Sequence, residues 1–321
     1  MSFFDECYRT FADSLDRPKD FDQYWTSRIK QISRIPLEVH SEKKMSRKIL
    51  KESKITIHFQ SSERVQVRAD LIAPRKMRGK PPVVVLFPDY MEEPAFFPLL
   101  QDLGLAQVVL HYRGQDEFFQ KRKQMSEEEK EKAPESLGFF RENLDEKDNF
   151  YMGHLYLDAY RLLEVIRLQK NLDSSRIGIW GRGIGSALAL FVTRYMNRTS
   201  FLILESPSFC HLEVSQNKSK ALYAKEINTY IRSQRKSRSK IKENLKYFDS
   251  LFFTDRIFSE TVSIAPFQKT NYVPQSAFAL FHAIPAEKTM VVYTKESKLA
   301  DDKLRSHIIR TSADFLQKAL L

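Results

Sequence analysis

Four of the chain's nine glycines lie within the eight residues 178–185. The apolar residues 176–180 are typical of a buried strand, and residues 186–197 follow a helical pattern. Glycine is favoured where the backbone needs a positive φ or a close approach to another segment. This stretch therefore predicts a strand, a sharp turn and a helix, with the turn as the centre of a candidate site.

The residues of this turn leave three interpretations open. Gly181 and Gly183 match the first two glycines of a dinucleotide-binding G-x-G-x-x-G, with Ser186 in the third place. The next strand ends in Glu205, where an acidic residue would hold a ribose. Alternatively, Gly181 and Gly185 flank the centre of a G-x-S-x-G nucleophile elbow, but the nucleophile's position holds Gly183, which has no side chain. The third interpretation is a tight turn without chemistry.

Apolar runs alternate with helical segments after residue 82, whereas residues 54–60 and 65–73 alternate apolar and polar residues like a half-buried hairpin. Continuous apolar runs suit strands that are buried on both faces, and the segments between them suit covering helices. The sequence therefore predicts an α/β fold with a mostly parallel central sheet flanked by helices. The predicted buried strands are 83–87, 107–111, 176–180, 201–204 and 289–293, and the clearest helices are 155–169 and 186–197.

The composition excludes several classes of protein. With 321 residues, 42% of them hydrophobic, the chain can bury a large core. No run approaches the roughly 20 apolar residues of a membrane span, and residues 1–15 lack the apolar centre of a signal peptide, so a cytoplasmic protein without membrane association is expected. Cys7 and Cys210 give neither a disulfide framework nor a metal-ligand spacing, and no metal or cofactor is predicted.

Seven segments resemble, in the same order, the motifs of one protein family. They are 18–25 (P-x-D-F-D-x-F-W), 87–90 (F-H-G-Y), 113–115 (R-G-Q), 150–159 (Y-Y-x-G-x-x-x-D-A), 176–190 (R-I-G-V-x-G-x-S-x-G-G-x-L-A-L), 205–208 (D-V-P-F) and 245–249 (L-x-Y-F-D). The sequence is thus similar to the acetyl xylan esterase/cephalosporin C deacetylase family, whose members have the α/β-hydrolase fold. The resemblance implies an α/β-hydrolase domain over residues 54–321, preceded by an N-terminal helical extension over residues 1–53.

The same resemblance implies that the catalytic triad is missing. The family's nucleophilic serine falls on Gly183, its aspartate on Lys269 and its histidine on Lys298. A small shift of the last two positions changes nothing, because residues 256–300 contain no aspartate and residues 283–306 no histidine. The family's reaction needs a nucleophile, a base and an orienting carboxylate.

Part of the family's pocket is expected to survive. The backbone N–H groups of Tyr90 and Ile184 match its oxyanion donors, and backbone donors do not depend on the side chain. Asp89 stands beside them and is expected to repel a developing oxyanion. Arg113 and Gln115, from the R-G-Q motif, are expected to hold the loop after their strand.

Four other residues are candidates for a relocated catalytic set, and each has a simpler interpretation. Ser186 suits a packing or helix-start position, and Ser206 suits a loop after a strand. His111 closes a strand, and His282 lies on a helix predicted after Pro274.

A basic segment predicts a binding surface. The net charge is +11, and residues 232–242 hold six basic and no acidic residues. At helical spacing Arg232, Lys236 and Lys240 share one stripe, with Arg235 and Arg238 beside it. Such a face predicts an acidic protein partner; nucleic acid is disfavoured because the segment has no aromatic residue to stack on bases. The family resemblance also implies assembly into a closed homo-oligomer.

The loss of the triad favours a catalytically inactive, acetyl xylan esterase-like scaffold or binding protein. Two alternatives stay open. One is a carboxylic-ester hydrolase, a deacetylase, with a relocated catalytic set. The other is a Rossmann-like nucleotide binder that uses the glycine turn.

Overall fold

The computed structural model describes residues 2–12, 16–45, 53–74, 79–196, 199–267, 271–294 and 300–321. Within these ranges the strands form one sheet. They are β1 His40–Met45, β2 Ser53–Gln60, β3 Gln66–Ile72, β4 Pro82–Phe87, β5 Ala106–His111, β6 Asp173–Arg182, β7 Phe201–Glu205, β8 Glu260–Pro266 and β9 Lys288–Tyr293.

The sheet has the order β1-β2-β3-β5-β4-β6-β7-β8-β9. β1, β2, β3 and β5 pair antiparallel, and every pairing from β5 through β4 to β9 is parallel. Because β4 and β6 are parallel neighbours, the segments that follow them meet at one edge of the sheet. This neighbourhood places the glycine turn next to residues 88–91.

Helices pack against both faces of the sheet. They are α1 Phe3–Tyr8, α2 Phe21–Ile32, α3 Pro98–Asp102, α4 Gln115–Gln124, α5 Glu127–Lys132, α6 Tyr151–Leu168, α7 Ile184–Met196, α8 Leu212–Ser215, α9 Leu222–Ser233, α10 Arg238–Lys246, α11 Pro274–Ala283 and α12 Asp301–Leu320. None of the described helices is long and apolar enough to cross a membrane.

The side chains of β4 point alternately to the two faces of the sheet, and the core accordingly has two layers. Val83 and Val85 belong to the larger layer, which includes buried residues of α2, α6 and α7. Val84 and Leu86 belong to the layer under α12. Successive strand residues point to opposite faces, so a strand buried on both faces must be apolar throughout.

The predicted α/β fold is confirmed, and each strand predicted with bounds is present to within three residues. One part of the N-terminal prediction needs correction. Residues 1–53 contain the helices α1 and α2, but they also contain β1, which pairs with β2. β1 has the sequence His-Ser-Glu-Lys-Lys-Met, which does not alternate apolar and polar residues. It is an edge strand, and polar residues at the edge of a sheet discourage pairing with further strands.

The N-terminal helices are packed on the rest of the chain. Phe21 and Trp25 of α2 are buried in the larger core layer. The Trp25 Nε1–H group donates a hydrogen bond to the Tyr247 carbonyl oxygen over 2.8 Å. Residues 18–25 are therefore part of the structure that supports the sheet, and the domain boundary at residue 53 stays a prediction.

Candidate functional site

The glycine turn has the backbone geometry of a nucleophile elbow. β6 ends at Arg182, α7 begins at Ile184, and Gly183 between them has φ +54°. A Cβ at Gly181 would lie 2.2 Å from the Gly185 carbonyl oxygen, and a Cβ at Gly185 would lie 2.1 Å from the carbonyl oxygen of Phe87, the last residue of β4. The small residues are therefore required because strand, turn and helix pass so close together.

Asp89 fills the space in which a side chain at residue 183 would stand. A Cβ built on Gly183 would lie 2.0 Å from the Asp89 carboxylate. The two residues meet because each follows the end of a neighbouring parallel strand. At the centre of the elbow there is thus a carboxylate that comes from another loop, and no side chain from residue 183.

The two backbone N–H groups that were expected to be oxyanion donors are both directed at this carboxylate. Asp89 Oδ1 accepts hydrogen bonds from the backbone N–H of Tyr90, over 2.8 Å, and of Ile184, over 3.0 Å. In a working hydrolase such a pair of donors binds the negative oxygen of the reaction intermediate. Asp89 was expected to repel that oxygen, and in the structure its own oxygen takes the place between the donors.

The charges around Asp89 have opposing effects on its ionisation. Burial raises the pKa of Asp89, while the Ile184 N–H hydrogen bond, the Arg182 charge and the Tyr90 N–H hydrogen bond lower it; the net direction is upward. The N–H of Asp89 donates to Glu92 Oε2 over 2.9 Å, and Glu92 also pairs with Arg182. The loop around Asp89 is thereby fixed from both sides.

Arg113 and Gln115, which were expected to hold the loop after their strand, are both hydrogen-bonded to neighbouring segments. Arg113 donates two hydrogen bonds to Asp158, from Nε over 2.7 Å and from Nη2 over 2.5 Å. Gln115 Oε1 accepts from the Met91 N–H over 3.3 Å, and its Nε2 donates to the Tyr151 hydroxyl over 3.1 Å. Because Met91 follows Tyr90 directly, Gln115 helps to fix the loop that carries one oxyanion donor.

The four candidates for a relocated set do not come together. Ser186 is buried, and its Oγ donates to the Gly181 carbonyl oxygen over 2.8 Å. His111 lies between two carboxylates, and His282 Nε2 lies 2.7 Å from the carbonyl oxygen of Tyr8. In the described part of the chain, neither histidine is hydrogen-bonded to Ser186 or Ser206. Lys269 and Lys298, at the expected aspartate and histidine positions, lie outside the described residues.

Glu205, suggested as a ribose ligand, has other partners. Trp180 Nε1–H donates to its Oε2 over 3.1 Å, and Arg305 Nη1 donates to its Oε1 over 2.5 Å. Arg182 Nε lies 3.2 Å from the same oxygen. This buried carboxylate holds β6, β7 and α12 together.

The basic segment is exposed, but it does not form the predicted single stripe. Arg232, Lys236, Arg238 and Lys240 are exposed, and the side chain of Arg235 lies outside the described part. α9 ends at Ser233 and α10 begins at Arg238, so the cations lie on two helices and the turn between them. The stripe was wrong because residues 234–237 leave the α-helical path. Arg232 and Arg238 border a cleft of about 550 Å³ between these helices.

Sequence reasoning missed a second polar group that lies away from the elbow. Ser62 Oγ is 2.9 Å from His154 Nδ1, and His154 Nε2 is 3.6 Å from Glu63 Oε2. The serine and the histidine are 92 residues apart and belong to no common motif. Only the packing of the segment after β2 against α6 brings them together.

Three comparisons connect the chain with known proteins. The acetyl xylan esterase from Paenibacillus sp. R4 superposes with a TM-score of 0.82 and 20% identity, with 100% of both chains covered. Acetyl Xylan Esterase 1 from Thermoanaerobacterium sp. JW/SL YS485 gives a TM-score of 0.74 and 21% identity over 92% of each chain. The acetyl esterase Axe7A of Xylanibacter ruminicola is 21% identical over 199 residues, which are 60% of this chain. The matched part is 44% of that relative, so the chain spans less than half of its length.

The structural matches show that the chain shares the fold of these esterases. The family model for acetyl xylan esterase matches residues 3–318, which is nearly the whole sequence. This chain therefore belongs to the acetyl xylan esterase family.

Proposed function

We propose that this chain is a binding or scaffold protein built on the acetyl xylan esterase fold, and that its elbow does not hydrolyse esters. The observation that carries the proposal is the position of Asp89. Its carboxylate stands where the nucleophile's side chain would begin, and it takes the hydrogen bonds of both oxyanion donors. An acyl carbon at this place would meet a carboxylate already bound to the donors that its own oxygen needs.

The substitutions support the same proposal. Residue 183 is glycine, and the family's aspartate and histidine positions fall on Lys269 and Lys298. A lysine at the aspartate position would repel an imidazolium, and the reaction requires all three functions together. Arg113 and Gln115 are retained; Arg113 is hydrogen-bonded to Asp158, and Gln115 accepts from the Met91 N–H of the loop after β4.

The binding surface that we propose is the exposed basic segment on α9 and α10. Arg232, Lys236, Arg238 and Lys240 have no ion-pair partner within the described ranges and are free to meet an acidic surface. Charge complementarity of this kind speeds association and selects partners. The proposed partner is an acidic protein.

Nucleotide binding at the glycine turn is the weaker alternative. A pyrophosphate bound at the start of α7 would approach the backbone N–H of Ile184, but that N–H donates to Asp89. A phosphate oxygen would have to displace Asp89 from this N–H group. Glu205, the suggested ribose ligand, is buried under Arg305 and Trp180.

The test of the elbow is hydrolysis of an aryl acetate by the purified intact chain. We expect no sustained turnover above a protein-free control. Sustained turnover that is lost on Ser186→Ala or Ser206→Ala, in a protein that still unfolds cooperatively, would show a relocated nucleophile beside the elbow and contradict the proposal.

A further inference from the structure

Ser62, His154 and Glu63 have the relative positions of an activated serine. Ser62 begins the short 3-10 turn after β2, and His154 lies in the first turn of α6. Ser62 Oγ is 2.9 Å from His154 Nδ1, while His154 Nε2 faces Glu63 Oε2 at 3.6 Å. A histidine between a hydroxyl and a carboxylate is the arrangement that removes the proton of a serine nucleophile.

Arg113 donates a hydrogen bond to the Ser62 hydroxyl. Arg113 Nη2 lies 2.8 Å from Ser62 Oγ, and a guanidinium can only donate. The hydroxyl therefore accepts from Arg113, and it can donate its own proton to His154 Nδ1 in the tautomer that is protonated on Nε2. The bidentate pair with Asp158 keeps Arg113 in this orientation.

His154 is held in the form that can accept a proton. Burial and the Arg113 charge lower the pKa of His154 below 6.5, as does Arg28, whereas Glu63 and Asp158 act in the opposite direction. The imidazole is therefore neutral at pH 7. With Nδ1 accepting from Ser62, its remaining proton is on Nε2, the nitrogen that faces Glu63.

The backbone beside Ser62 is strained. Glu63 and Arg64 are not glycines, yet both have φ +57°. A positive φ is energetically unfavourable for such residues, and it persists where the surrounding structure requires it. Here the strained turn holds the Glu63 carboxylate next to His154.

The three residues open into a cavity of about 410 Å³. This volume lies in the range of small-molecule sites. Arg28 also lines the cavity, and its buried Nε has no hydrogen-bond partner among the described residues. Its Nη1 donates to Asp148, another residue of the lining, so Arg28 is part of the cavity wall.

We propose that Ser62 is a nucleophile that takes the acyl group of a small polar ester bound in this cavity, with His154 as its base and Glu63 as the positioning carboxylate. Ser62 Oγ forms a bond to the carbonyl carbon while its proton moves to His154 Nδ1. The ester C–O bond then breaks, and the leaving alcohol takes that proton from His154. We expect one acyl group per chain to be transferred in this step. The inference does not depend on what happens at the elbow.

The test is a burst experiment with excess p-nitrophenyl acetate on the intact chain, followed by mass spectrometry of its peptides. We expect about one equivalent of p-nitrophenolate per chain and an acetyl group on Ser62. Loss of the base should slow the burst about 100-fold or more in His154→Gln, and Ser62→Ala should abolish it.

The matched control is Ser61→Ala, because the buried Ser61 Oγ has no hydrogen-bond partner in the described part. This variant should keep the burst. An acetyl group on another serine, or an undiminished burst in His154→Gln, would overturn the inference.

A second variant covers the possibility that Ser62→Ala does not fold. Ser62→Cys keeps a nucleophile beside His154, and Cys7 and Cys210 are both buried with raised thiol pKa values. We expect iodoacetamide to alkylate residue 62 well before the other two cysteines. Equal rates at all three thiols would contradict an activated position at 62. Sustained turnover that survives Ser62→Ala would instead count against the inactive elbow, so the two proposals fail by different results.

Discussion

The carboxylate of Asp89 lies in the place that a side chain at Gly183 would occupy, 2.0 Å from the position of its Cβ. The positive φ of Gly183 is therefore only part of the reason for a glycine here. Residue 183 keeps the backbone geometry of a nucleophile. Asp89, from the loop after β4, occupies the space that the nucleophile's side chain would need. This relationship leads to the first two predictions.

Gly183→Ala should lower the free energy of unfolding by about 1–3 kcal/mol, because the new Cβ would collide with Asp89 and would have an unfavourable φ. The measurement is urea denaturation. Gly104→Ala is the matched control, since Gly104 has φ +88° but open space around its Cβ position.

The Gly104→Ala control separates the cost of the positive φ from the cost of the steric collision with Asp89. Gly104→Ala should cost less than Gly183→Ala, and the difference should shrink when Asp89 is also changed to alanine. If Gly183→Ala and Gly104→Ala lost the same free energy of unfolding, with and without Asp89→Ala, the positive φ alone would explain the glycine at residue 183. Gly183→Ser should lose stability in the same way and should not gain esterase activity.

Asp89→Ala should also lower the free energy of unfolding, by about 1–3 kcal/mol, because two buried N–H groups lose their acceptor. Acetate supplies the same carboxylate, so millimolar acetate should raise the melting temperature of Asp89→Ala more than that of the wild type. Asp89→Asn, which keeps a carbonyl oxygen, should respond less. An acetate effect of equal size in the wild type would contradict the occupied donor pair.

His111 should make the stability depend on pH. Burial acts to lower the pKa of His111, but hydrogen bonds to Asp116 and Asp70 outweigh it, and the net shift is upward. A raised pKa in the folded state means stabilisation that is complete below the unfolded value of 6.5 and is lost as pH rises through the folded value.

The wild type should therefore exceed His111→Asn in free energy of unfolding by more at about pH 6 than at about pH 9. Urea denaturation at both pH values measures the two differences. A difference that does not change with pH would mean that the imidazole stabilises only through packing and neutral hydrogen bonds.

Reversing Lys236, Arg238 and Lys240 to glutamate should weaken binding to an immobilised acidic polypeptide such as polyglutamate. The expected result is elution at lower salt than the wild type, since screened attraction between exposed charges is the proposed force. A triple reversal of Lys170, Lys303 and Arg310, which are exposed elsewhere on the chain, makes the same change in net charge. If both variants elute together, the basic segment has no special role.

The sequence predicts the central strands well because β4 and β6 are apolar throughout, a pattern that few other structures produce. It fails at β1, where the edge position requires polar residues, and at residues 234–237, where the charges give no sign that the helix ends. The elbow was predicted from its glycines. The hydrogen bond from Ile184 to Asp89 joins residues 95 positions apart, and only the order of strands in the sheet brings them together.

The space shared by residues 89 and 183 also sets an order in which this site can change. A serine at 183 can be accommodated once residue 89 has become small, whereas the reverse order passes through a chain that carries the collision. A path of single substitutions toward a side-chain nucleophile therefore begins at position 89, in a different loop from the elbow itself.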